Sequence, residues 1–333
     1  MSRGPVVIEV TRGPVVESRH EGIAAVVKAD GTVVESWGDI EAAILPRSAN
    51  KPIQAMAFVE SGAVERFGLS DEHVALSCAS HSGQTRHVET VRAWLAKVGL
   101  SEADLECGTH APRLQSSIEA LARANTLPTA AFNNCSGKHS GFLTTAVHYG
   151  EPTKGYITYD HPVQRRLRET MSALCGLDAN AFPHGTDGCG IPTLATPLKS
   201  LAQAMASMAD PSGLSSKRAD AAIRIRKAMN AEPFMVAGTG RFCTRINEAA
   251  PGVIQVKTGA EGVFCGMLPT LGLGVALKVW DGAGRAAEVA MAALLDHLGV
   301  LPAGQREEVL HPQIKNVVGL LVGEMRPAKS WLG

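Results

Sequence analysis

Residues 252–280 read GVIQVKTGAEGVFCGMLPTLGLGVALKVW. Short apolar runs at 252–257, 263–266 and 274–279 are separated by breaks at Gly259, Gly262, Pro269 and Gly272. Runs of that length between turn residues predict strands, and the nearly continuous apolar character of 267–280 predicts burial. The opening of the chain carries the same signature. RGPVV occurs at 3–7 and again at 12–16, which predicts adjacent strand segments joined by a turn. Asp30-Gly31 between two apolar runs predicts a hairpin. Between these ends the period changes. Apolar residues at helical spacing predict helices over 52–67, 84–98, 117–124, 139–149, 161–174, 198–208 and 219–229, with Pro162 at a helix start. A helix over 285–298 and a last strand over 317–322 complete the series. This order predicts an α+β fold: a mixed or antiparallel sheet from the N- and C-terminal strands, and a helical lobe from the middle. One domain is expected over 1–333, its sheet-containing part near 1–45 and 235–333 and its helical and loop part near 46–234.

Composition narrows the function. Hydrophobic residues make up 45% and charged residues 19%, which excludes a disordered chain. The 32 Lys and Arg balance the 32 Asp and Glu, against the basic excess that nucleic acid or an anionic membrane requires. Aromatics at 5% leave little for base stacking. The apolar N-terminal stretch is short and broken by Arg3, Gly4 and Pro5, unlike a signal peptide, and no apolar run is long enough to span a membrane. Seven cysteines, an odd number, fit a reducing compartment. A cytoplasmic protein is expected, with no nucleic-acid or membrane partner.

Five short segments carry chemistry. In Ser48-Ala49-Asn50-Lys51, a helix starting near Ser48 places Ser and Lys on one face, where a lysine of lowered pKa can take the serine proton. The ordinary alternative is a helix cap and a solvated lysine. Lys257-Thr258-Gly259 ends a predicted strand. Serine β-lactamases and penicillin-binding proteins combine these two elements in this order, and serine-dependent glutaminases share the architecture. Residues 77–83, SCASHSG, place hydroxyls including Ser80 in a loop, with Ser82 as a possible cap for the next helix. Residues 133–139, NNCSGKH, hold side chains that a core does not need, and they lack the spacing of a phosphate loop. Residues 184–190, HGTDGCG, turn tightly around Asp187 and Cys189. Cys135 and Cys189 thus stand apart from the other five cysteines. With one further donor from Lys138, His139, His184 or Asp187 they suit zinc; otherwise they are two buried or reactive thiols.

The segments RSANKP (47–52), LSCASHSG (76–83), NNCSGKHSG (133–141), DHPVQ (160–164), GTDGCGIPT (185–193), MVAGTGRFCT (235–244) and KTGAEGVF (257–264) resemble the Rhizobium-type, or class 3, L-asparaginases, over essentially the whole chain. The resemblance implies a β-lactamase/glutaminase-like fold, a homodimer, and hydrolysis of L-asparagine to L-aspartate and ammonia. It implies two Ser–Lys pairs, Ser48 with Lys51 and Ser80 with Lys257, and a Zn²⁺ held by Cys135, Lys138 and Cys189. Arg47 and Asp187 match positions lining the site, and Asn134 and His139 join them as substrate-binding candidates. A zwitterionic substrate needs a cation for its α-carboxylate and an anion for its α-amine, roles that suit Arg47 and Asp187. The competing readings are a β-lactam-interacting Ser-x-x-Lys hydrolase, a glutaminase, and a zinc- or thiol-based redox-sensing module.

Overall fold

The computed structural model of the chain describes residues 4–332. Arg3, which opens the first RGPVV, lies outside the described residues. The two RGPVV segments lead into strands Val6–Arg12 and Val15–Lys28, which pair antiparallel across the turn at Gly13-Pro14. The second strand continues through the Asp30-Gly31 turn into Val33–Trp37. Strands Gln255–Thr258, Val263–Leu268 and Leu273–Val279 form a meander whose last member pairs with Val15–Lys28. All pairings in this eight-stranded sheet are antiparallel. The chain is α+β, and its two ends share one sheet: Ile8 lies opposite Pro327, and Val10 opposite Met325.

The strands at 263–268 and 273–279 are almost wholly buried because helices cover the sheet. Every residue of Val263–Leu268 is buried. Helix Leu198–Ala209 packs on Leu273–Val279, and helix Gly284–His297 packs on the same strand. Gly274 marks the closest approach, since a Cβ there would lie 2.1 Å from Ala202 O and 2.2 Å from Ala206 N. Both are backbone atoms that cannot swing away. Gly274→Ala is therefore expected to cost about 3 kcal/mol or more through forced displacement of the helix. A denaturant midpoint equal to that of the wild type would show that the helix can shift freely.

Helix Lys51–Glu60 is buried along its whole length except for its last residue, which is why its sequence shows little polar face. Helices Asp71–Ser77, Thr85–Lys97, Ser136–Tyr149, Pro162–Cys175 and Ser216–Ala231 build the helical region with it. Pro162 opens its helix, with His161 Nδ1 accepting from Val163 N at 3.2 Å.

Three local expectations are corrected. The final strand is not at 317–322: strands Gln313–Lys315 and Leu321–Pro327 form a hairpin. Val317, Val318 and Leu320 are exposed at its turn, so their apolar character does not mark a strand. Ser82 does not cap the following helix. Gln84 occupies the cap, while Ser82 Oγ donates to Ala237 O at 2.8 Å. The helix expected from residue 139 begins at Ser136, so Lys138 and His139 stand on its first turns and Cys135 at its cap. No helix among the described residues is long and apolar enough to cross a membrane.

Candidate active site

Ser48 and Lys51 enter the site on one continuous piece of helix. A 3₁₀ turn, Arg47–Asn50, runs directly into helix Lys51–Glu60. Arg47 opens it with φ +50°, a left-handed conformation that a side chain other than glycine rarely adopts. Gly259 packs against this turn, and a Cβ there would lie 2.9 Å from Pro46 O and 3.1 Å from Ala49 N. The Lys-Thr-Gly strand end and the Ser-x-x-Lys turn are therefore in contact, and the glycine permits it.

Ser80 stands in the loop after helix Asp71–Ser77. Its backbone N donates to Val236 O at 3.0 Å, and His81 N donates to Asn134 O at 3.2 Å. His81 is buried, accepts from Gly83 N at 3.1 Å through Nδ1, and donates through Nε2 to Ser136 Oγ at 2.9 Å. The loop is thus fixed from three directions.

Two buried lysines converge on that serine. Lys51 Nζ lies 3.1 Å from Ser80 Oγ, 2.5 Å from Ala79 O and 3.4 Å from Asn134 O. Lys257 Nζ lies 2.7 Å from Ser80 Oγ and 2.7 Å from Thr258 O. Lys51 is 0% exposed and Lys257 1%, a burial that lysine tolerates only with dedicated partners. Burial, and then the charge of Lys51, lower the Lys257 pKa to about 7. Burial also lowers Lys51. Three oxygens surround Lys51 Nζ and two surround Lys257 Nζ, and the Ser80 hydroxyl, with one proton, can donate to only one of the two lysines. Lys51 therefore reaches Ser80, and no hydrogen bond joins it to Ser48 among the described residues. Ser48 is half-buried, whereas Ser80 is 6% exposed.

A second buried cluster adjoins the first. Lys138 Nζ lies 3.0 Å from Cys189 Sγ. A hydrogen bond from Cys135, then Lys138, hold the Cys189 thiol down at about 5 against burial, so it is a thiolate. The same bond, with burial, pushes Cys135 up to about 12. Burial opposes the charge on Lys138, but the two sulfurs hold its ammonium above the ordinary value. All seven cysteines are buried and free. His184 is exposed and stacks on Tyr159 at 4.2 Å, which takes it out of the cluster. Among the described residues no group of three or more His, Cys, Asp or Glu gathers as a metal site.

Arg47 Nε donates to Asp187 Oδ1 at 2.8 Å, and Gly188 N donates to the same oxygen at 2.7 Å. Burial raises the Asp187 pKa, but Lys138 and Arg47 outweigh it and keep the carboxylate ionised. Asn134 takes part through its backbone oxygen, and its Oδ1 lies 2.9 Å from Cys135 Sγ. His139 is fully buried, with Nδ1 2.7 Å from the Tyr156 hydroxyl, which accepts from Glu106 N at 2.8 Å. His139 Nε2 is a buried atom without a partner among the described residues.

The family model for L-asparaginase II matches residues 8–327. The chain belongs to the L-asparaginase II family. It is accordingly an enzyme, an asparaginase-type amidohydrolase acting on a small molecule. Among curated proteins none matches this L-asparaginase II chain. Among solved structures, a β-lactamase from Mycobacterium bovis is 14% identical at a TM-score of 0.43, with 83% of this chain and 94% of that one covered. A protein called Mglu, solved in its glutamate form, is 14% identical at a TM-score of 0.49, with 90% of this chain and 66% of that one covered.

Proposed function

We propose that this amidohydrolase converts L-asparagine to L-aspartate and ammonia through a serine activated by lysine. The observation that carries the reading is the buried chain Lys51–Ser80–Lys257. An amide is a poor electrophile with a poor leaving group, so its hydrolysis needs a base that can return its proton as an acid. Lys257, poised near 7, suits both roles. The Ser80 proton passes to Lys257 Nζ as Ser80 Oγ attacks the carboxamide carbon. Lys257 then protonates the departing nitrogen, and ammonia leaves behind an aspartyl ester on Ser80. Water attacks the ester, gives its proton to Lys257, and Ser80 is restored. The Lys51 ammonium supports the negative charge that develops beside it. Ionised Asp187, held in place by Arg47, offers the anion for the substrate α-amine. A second reading keeps the proton chain but gives the attack to Ser48, whose greater exposure favours it.

Zinc fits the second cluster by donor chemistry. Cys135, Cys189 and Lys138 offer two sulfurs and a nitrogen, which Zn²⁺ accepts. Binding Zn²⁺ there would displace the protons that the thiols and the Lys138 amine share. A metal bound there supplies a fixed positive charge near the reacting centre.

Ammonia release from L-asparagine tests the function. We expect faster turnover than with L-glutamine and no hydrolysis of nitrocefin. Rapid nitrocefin colour would favour a β-lactam hydrolase, and absence of any amidase activity would favour a thiol-based sensor. Metal analysis should find zinc in the wild-type protein and none in Cys189→Ser. A cytoplasmic homodimer remains the expected setting.

A further inference from the structure

Arg47 is closed on Asp187, which leaves the substrate α-carboxylate without an unpaired cation from that pair. A different guanidinium is open. Arg241 caps helix Phe242–Ala249 at the end of a strip, residues 236–241, that runs beside the Ser80 loop. The two segments are laced together. Ser80 N donates to Val236 O, Ser82 Oγ donates to Ala237 O, and Thr239 N donates to Gln84 Oε1 at 2.9 Å. Gly238, with φ +111°, permits this approach, since a Cβ there would lie 2.9 Å from Ser82 Oγ.

The Arg241 side chain has no hydrogen bond or ion pair among the described residues, and its Nη1 is buried without a partner. A buried donor of that kind is costly unless something accepts from it. Its charge reaches Lys257, whose ammonium it disfavours, and a second unpaired guanidinium, Arg113, whose N donates to Ser82 O at 3.0 Å. Glu288 lies within electrostatic reach, pushed upward by burial with Arg241 and Arg245 opposing, and makes no ion pair with Arg241 among the described residues. Two guanidiniums close enough to repel each other, each without a side-chain partner among the described residues, favour an external anion.

We propose that Arg241 is the anchor for the α-carboxylate of the substrate, with Arg113 as a flanking cation. The inference rests on the asparaginase reading above. A guanidinium fork matches a carboxylate with two parallel hydrogen bonds, which fixes the carboxamide end relative to Ser80.

The test is Arg241→Met, with Arg241→Lys as its conservative partner. No side chain bonds to Arg241, so the methionine variant leaves no partner stranded, and its melting curve checks the fold. KM for L-asparagine should rise roughly 100-fold in Arg241→Met and less in Arg241→Lys, the scale of a lost charge-assisted pair. Calorimetric affinity for L-aspartate should fall in parallel. KM for 3-aminopropanamide, which lacks the α-carboxylate, and affinity for β-alanine should stay within twofold of wild type. Equal losses with and without the carboxylate, or an unchanged KM for L-asparagine, would overturn the proposal. A wild-type protein that releases no ammonia from L-asparagine would overturn the functional reading instead, and L-aspartate binding would still report on Arg241.

Discussion

Lys257→Met should lower kcat/KM for L-asparagine by roughly 10³- to 10⁴-fold, because it removes the base and the acid together. The variant should remain folded. It replaces a buried amine with an apolar chain of similar length, and Lys51 still holds Ser80. The pH profile separates this role from simple packing. In the wild type the base must be neutral, so kcat/KM should rise as pH passes about 7, where Lys257 loses its proton, and fall away below it. That acid limb should vanish in the variant. Retention of the limb, with an equal loss at every pH, would mean that another group is the base.

Ser80→Ala should cost as much as or more than Lys257→Met, and the double variant should be no slower than Ser80→Ala alone. Groups that act as one unit are not additive, since the base has nothing to do once its hydroxyl is gone. Ser48→Ala should leave a larger residual rate. A diazo-oxo analogue of L-asparagine should trap the attacking oxygen covalently, and peptide mass spectrometry should place the label on Ser80. Label on Ser48 instead would transfer the attack to that residue and leave Ser80 as the relay between the lysines.

The strands Val263–Leu268 and Leu273–Val279 were legible in the sequence because they are short, almost wholly buried and bounded by glycine and proline. The C-terminal hairpin was not, because exposed Val317, Val318 and Leu320 occupy its turn while the paired strand carries Gly323, Glu324 and Arg326. Local spacing suggested Ser48 with Lys51, since three residues along a helix share a face. The contact that forms is Lys51 with Ser80, 29 positions away and dependent on a loop path that no periodicity encodes. Likewise Arg47 and Asp187 appear in sequence as two separate substrate contacts, and only the fold shows that they pair with each other. Arg241 ends the segment GTGR, residues 238–241, whose spacing points to no chemistry. Its signal is a missing partner, which becomes visible only once the neighbours are placed.

The order of strands also governs when the protein can become itself. Strand Val6–Arg12 sits between Val15–Lys28 and Leu321–Pro327, so one of its flanks waits for a segment some 313 positions later in the chain. On the ribosome that flank emerges as an open edge and stays so until Leu321–Pro327 has been made. Ser80 and Lys257 are 177 positions apart, so this contact too is assembled late. Maturation should therefore be slow, and chaperone demand should be set by the waiting time of the Val6–Lys28 hairpin.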